Sequence, residues 1–155
     1  MHSRGILHRD LKSANVFLSD GCYKLGDLNV SKVNKGRLAY TQTGTPYYAS
    51  PEVWRDEPYD SKSDIWSFGC IIYEMAALKP PFSGRDMEAL YRNVQRCTFD
   101  RIPSCYSKDL ETVIGLCMQK NPKLRPSSSE LLMNPIVQKY AERLQMGKDP
   151  VEPAI

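Results

Sequence analysis

The segment SKSDIWSFGCIIYEMAAL, residues 61–78, constrains the fold of this chain more than any other. Ile65, Phe68, Gly69, Ile72 and Met75 recur at helical spacing, and Trp66, Cys70, Ile71 and Tyr73 fill much of the remaining circumference. A helix apolar nearly all round has to be covered on most sides, so the spacing predicts a central, buried helix. It stops before KPPF, where Pro80 and Pro81 forbid a further turn.

The other elements are shorter. Helical patterns fall at about 86–96, 107–118 and 127–133, the last with serine N-caps ahead of Glu130, and another at 135–144. Residues 16–18 (VFL) and 22–25 (CYKL) are β-like runs around a Ser-Asp-Gly turn signal, so 16–25 reads as a hairpin. Residues 30–60 are rich in Gly, Pro, Thr, Ser and Tyr without a sustained period. They read as one long ordered loop, and loops of that length in a compact domain are usually functional or disordered. The expected class is mainly α with a short β-hairpin (α+β), one domain over 1–144 followed by a disordered tail at 145–155.

Composition removes several classes of function. A net charge of +3 with no basic block argues for neither nucleic acid nor a membrane surface. The longest apolar stretch, CIIY, is broken at once by Glu74, so no membrane span is expected, and the first ten residues do not resemble a signal peptide. Cys22, Cys70, Cys97, Cys105 and Cys117 include no Cys-x-x-Cys pair, and His2 and His8 are the only histidines, so no zinc site is expected. Free, mostly buried thiols in a reducing, intracellular compartment are the expectation.

The chemistry is concentrated near the start. HRDLKSAN, residues 8–15, places Asp10, Lys12 and Asn15 in one irregular stretch. If the hairpin turns at Asp20–Gly21, antiparallel pairing sets Asn15 opposite residues 26–27. Asn15 and Asp27 then emerge side by side at its open end. An amide oxygen beside a carboxylate suits a hard cation such as Mg²⁺, which takes few protein ligands and completes its shell from phosphates and water. Each residue alone has a plainer reading: Asp10 a loop carboxylate, Asn15 a turn residue, Asp27 a strand terminator.

Together they resemble the catalytic loop and metal-binding motif of eukaryotic protein kinases. His8-Arg9-Asp10-Leu11 with Asn15 fits His-Arg-Asp-Leu-x-x-x-Asn, and Lys12 is similar to the serine/threonine class. The resemblance implies that Asp10 accepts or orients the substrate hydroxyl proton and that Lys12 stabilises charge on the γ-phosphoryl group of ATP. It also implies that Asn15 and Asp27 hold Mg²⁺. Asp27-Leu28-Asn29 departs from the family's Asp-Phe-Gly. Leu28 keeps an apolar plug near His8, and Asn29 tolerates positive φ, which implies a retained metal site on a stiffened hinge.

The resemblance extends further. Ser50-Pro51-Glu52 stands where the family has Ala-Pro-Glu, and GTPYYASPE is similar to its substrate-facing loop. Thr45 is implied to bond towards Asp10 and Lys12, Asp64 towards backbone N–H groups of the catalytic loop, and Arg125 of NPKLRPS to form a buried ion pair with Glu52. Thr41, within a cluster of hydroxyls, is implied as a regulatory phosphosite whose phosphate pairs with Arg9. GTPYYASPEVW, SDIWSFGCIIYEM and LKPPF are similar to the NIMA-related branch, which implies a cytoplasmic protein associated with the cytoskeleton, centrosomes or cilia.

No Gly-rich loop, no Val-Ala-x-Lys strand and no helix bearing the paired Glu occur in the sequence. The resemblance therefore covers the C-terminal lobe only, roughly the second half of a kinase domain. It implies protein Ser/Thr substrates, ATP and Mg²⁺ as cofactors, and an N-lobe partner elsewhere in the full-length protein. The chain on its own is expected to be inactive. The competing reading is a short, catalytically dead kinase-like binding module or scaffold.

Overall fold

The computed structural model describes residues 1–27 and 46–146. Leu28, Asn29, Thr41, Thr45 and residues 147–155 of the tail lie outside the described residues, so the expectations placed on them are not addressed by it.

β1 (Val16–Ser19) and β2 (Cys22–Leu25) form an antiparallel pair in which Val16 faces Leu25 and Ser19 faces Cys22. The two-residue turn is Asp20–Gly21, with φ of 55° and 70°. Both positions of a type I′ turn need positive φ, and Asp-Gly is among the dipeptides that supply it at least cost. The pairing continues one step beyond the ladder, because Gly26 donates its N–H to the Asn15 carbonyl at 2.9 Å.

The long helix is α2 (Ser61–Ala77), and α1 (Pro51–Trp54) is a single turn just before it. Asp60 caps α2 by accepting the Lys62 N–H at 2.7 Å, and Ser63 closes a capping box. Leu78 ends the helix in the left-handed region at φ 55°, its N–H on the Glu74 carbonyl, and the prolines follow. Trp66, Cys70 and Tyr73 are fully buried, and around them gather Phe82, then Leu90 and Val94 of α3 (Met87–Arg96), Ile114 of α4 (Lys108–Cys117) and Met118 just after it. Trp66 stacks on Phe82 with centroids 5.5 Å apart, and Phe99 meets both Phe82 and Tyr73 edge-on.

Gly69 lets α4 come close. A Cβ there would lie 2.7 Å from Cys117 Cβ and 2.8 Å from Met118 Cγ. The expectation of burial all round needs one correction. Phe68 and Met75, seven residues apart, are 42% and 45% exposed, so one side of α2 is uncovered among the described residues. Periodicity reports which positions are apolar, not which neighbours exist to cover them.

α3 (Met87–Arg96), α4 (Lys108–Cys117), α5 (Ser128–Leu132) and α6 (Pro135–Met146) follow the sequence pattern to within a residue or two. Asp86, Ser107 and Ser127 cap the first three, and Ser127 with Glu130 forms a full capping box. The stretch expected to be loop contains the single turn α1, opened by Pro51 at its first position. Short 3₁₀ turns at His2–Arg4, Ser13–Asn15 and Pro122–Leu124 complete the fold. All five cysteines are free, but only Cys70 and Cys117 are buried, while Cys22 and Cys105 lie at the surface. Among the described residues no helix is long and apolar enough to cross a membrane.

Candidate active site

The site is built on the first turn of α2. Asp64 is buried, and both of its oxygens are committed to the loop above. Oδ2 accepts the His8 N–H at 2.9 Å and Oδ1 accepts the Arg9 N–H at 3.0 Å. Tyr59 donates its hydroxyl to Oδ1 at 2.5 Å, and His2 Nε2 lies 2.8 Å from Oδ2. A buried carboxylate is tolerable only with donors of this kind around it. They hold the backbone at Arg9 in the left-handed region, φ 68°, immediately before Asp10.

His8, also buried, joins this loop to the hairpin. Its Nδ1 accepts the Asp10 N–H at 3.3 Å, so Nε2 carries the proton and donates to the Gly26 carbonyl at 3.1 Å. Asp10 Oδ2 receives Lys12 Nζ at 2.7 Å. Asn15 donates its amide to the Asp10 carbonyl at 2.8 Å and to Asp10 Oδ2 at 3.2 Å. Asp10, Lys12 and Asn15 therefore form one hydrogen-bonded group. Asp27 directly follows Gly26, the residue bonded to both Asn15 and His8, and sits exposed with φ 55°.

Below the site, Arg125 and Glu52 form a buried bidentate pair at 2.8 and 3.1 Å. Arg125 also donates to the Lys62 carbonyl at 2.6 Å and the Gln119 carbonyl at 3.0 and 3.1 Å, and lies 5.1 Å over the Trp66 ring. Ser63 donates to Glu52 at 2.9 Å. Burial pushes the Glu52 carboxyl up, but the hydrogen bonds and charge of Arg125 outweigh it and hold the group below the usual carboxylate range.

Tyr59 and His2 are the residues that sequence reasoning missed. Neither stands in a periodic pattern, and their role exists only because the fold brings them onto Asp64. A carboxylate in the first turn of a mostly apolar helix was the one available signal.

A protein kinase domain family model matches residues 1–137, which include every group just described. The chain belongs to the protein kinase family. Its likeness is to the NIMA-related branch. It is 42% identical over 146 residues to serine/threonine-protein kinase Nek11 of Homo sapiens, covering 93% of this chain and 23% of that protein. It is 46% identical over 145 residues to the probable serine/threonine-protein kinase nek3 of Dictyostelium discoideum, covering 89% and 13%. It is 41% identical over 152 residues to serine/threonine-protein kinase Nek3 of Oryza sativa subsp. japonica, covering 97% and 26%. The chain thus spans about a quarter or less of the length of the curated relatives it matches.

Proposed function

We propose that these residues form the catalytic and peptide-binding half of a serine/threonine protein kinase that moves the γ-phosphoryl group of ATP to protein hydroxyls. The observation that carries the reading is the joined group of Asp10, Lys12 and Asn15. Lys12 and Asn15 both occupy Asp10 Oδ2, which leaves Oδ1 as the oxygen to meet a substrate hydroxyl and take or orient its proton. The Lys12 ammonium, fixed beside that carboxylate, places positive charge where a phosphoryl group would transfer.

Asn15 and Asp27 fit Mg²⁺. The Asn15 amide nitrogen is spent on Asp10, which turns its carbonyl oxygen to another partner, and Asp27 stands at the adjoining end of the hairpin. Such an ion takes few protein ligands and completes its shell from phosphate and water. Bound Mg²⁺ would neutralise charge on the phosphate oxygens.

The test is labelled-phosphate transfer to a Ser/Thr peptide by the full-length protein and by its Asp10→Asn variant. A loss of about 10²-fold or more supports Asp10 as the base, and equal rates refute it. Phosphoryl transfer depends on positioning, and the 155 residues contain no Gly-rich loop or Val-Ala-x-Lys segment. This chain assayed alone is therefore expected to transfer nothing detectable, and robust transfer abolished by Asp10→Asn would overturn that expectation.

Thr41 belongs to the same proposal as a regulatory phosphosite. Support comes from the sequence, where Tyr40, Thr41, Thr43 and Thr45 cluster their hydroxyls and Arg9 stands next to Asp10 as a cation that a phosphate can pair with. Phosphopeptide mapping that finds residues 40–45 unmodified in the active protein would refute it.

A further inference from the structure

Asp10, Lys12, Asn15 and Asp27 account for one side of the proposed reaction, but a protein substrate must also be held in register with Asp10. The segment before Pro51 is attached to α2 through Tyr48. Ser67 donates its hydroxyl to the Tyr48 carbonyl at 2.8 Å, and the Tyr48 hydroxyl donates to Glu74 Oε2 at 2.6 Å. Ser67 and Glu74 are seven residues apart, two turns along one face of the helix, so Tyr48 is pinned at both its backbone and its ring.

The same Tyr48 oxygen lies 2.9 Å from the hydroxyl of Ser13. The proton order follows from counting. A phenol has one proton, and here it goes to a carboxylate, which accepts only. The Ser13 hydroxyl must therefore be the donor in the second bond. The phenol shows both influences: burial first, then the bond to Glu74, push it up, while Ser13 pulls the other way. The result is a directed line, Ser13 to Tyr48 to Glu74, that ties three separate segments together. Ser13 directly follows Lys12, the residue that holds Asp10.

We propose that Ser13 is a positioning residue for peptide substrates. Through Tyr48 it fixes the segment 46–50 relative to Asp10 and Lys12, so that a bound hydroxyl arrives at the catalytic carboxylate. The role rests on the kinase reading above. Ser13 touches neither reacting atom, and its effect falls on the peptide rather than on the nucleotide.

Four variants of the full-length protein test this: Ser13→Ala, Tyr48→Phe, the double variant, and Ser13→Thr, which keeps the hydroxyl. Loss of one such hydrogen bond is expected to raise KM for a peptide substrate by about three- to tenfold with KM for ATP unchanged. The double variant should be no worse than Tyr48→Phe alone, and Ser13→Thr should restore the wild-type value. Additive losses, an equal rise in KM for ATP, or a Ser13→Thr variant as poor as Ser13→Ala would each overturn the proposal. Amide exchange over residues 47–50 gives a readout independent of activity. Ser13→Ala should speed it, and unchanged exchange shows that the tie does not exist. If wild-type transfer is insensitive to Asp10→Asn, the kinase reading fails and takes the role of Ser13 with it, while the exchange result alone still decides whether the tie is real.

Discussion

Replacing Arg125 with Met removes the cation from a site where both partners of the ion pair are buried. Glu52 would remain 3% exposed with Ser63 as its remaining side-chain donor. The carbonyls of Lys62 and Gln119 would also lose the guanidinium that now satisfies them. Breaking one side of a buried pair in this way costs about 3–5 kcal/mol. The sign of the pH dependence separates this cause from simple loss of packing. In the wild type the Glu52 carboxyl is depressed in the folded state, so its contribution is present above the unfolded pKa, about 4.3, and is lost as pH falls through the lower folded value. In Arg125→Met, burial, the largest influence on this carboxyl, is opposed only by the remaining hydrogen bonds, so the folded-state pKa is expected to rise above the unfolded one. Protonation then relieves the buried charge, so the deficit against wild type should be largest near pH 7 and shrink towards pH 5. Urea denaturation of both proteins, followed by tryptophan fluorescence at the two pH values, reads this directly. Adding Glu52→Gln to the variant should recover about 1–3 kcal/mol by removing the stranded charge. A deficit below about 1 kcal/mol, or one equal at both pH values, would refute the reasoning.

Gly69→Ala should destabilise the chain by about 1–3 kcal/mol in the same denaturation assay, because the new methyl meets Cys117 and Met118 within 2.8 Å. Tyr59→Phe takes one donor from the buried Asp64 carboxylate, at a cost of about 1–3 kcal/mol, and amide exchange at His8 and Arg9 should quicken. Iodoacetamide at pH 8 should label the exposed Cys22 and Cys105 within minutes and spare Cys70 and Cys117 in the folded chain. Burial pushes the Cys117 thiol up to about 12 and the Cys70 thiol well above its ordinary value. Peptide mass mapping distinguishes the sites, and labelling of Cys117 at the rate of Cys105 would contradict the assigned burial.

Much of this molecule is legible in local sequence because its local signals agree with its tertiary contacts. Asp20–Gly21 sets the hairpin register, and that register alone puts Asn15 beside Gly26. The serine and aspartate caps locate helix starts to within a residue, since each answers a backbone donor that cannot be met otherwise. What was illegible depends on side chains meeting across the fold. Tyr59 and His2 converge on Asp64, from sequence separations of 5 and 62 residues, with no pattern to announce it. The outward side of α2 was misread for the same reason, as Phe68 and Met75 look no different in sequence from Ile65. The turn at Pro51–Trp54 is too short to show a period at all.

The face of α2 that looks towards the site behaves like a ruler. Lys62 and Ser63 engage the Arg125–Glu52 pair, Asp64 carries the catalytic loop, and Ser67 and Glu74 carry Tyr48. Each helical residue advances about 100° around the axis and about 1.5 Å along it. Deleting a single residue between Asp64 and Ser67 would leave Asp64 under the catalytic loop while swinging Ser67 and Glu74 a quarter-turn or more away from Tyr48. No substitution of those side chains could restore the alignment. Descendants of this sequence can therefore vary the composition of α2 on its exposed side, but they inherit the number of residues between Ser63 and Glu74 as a fixed quantity.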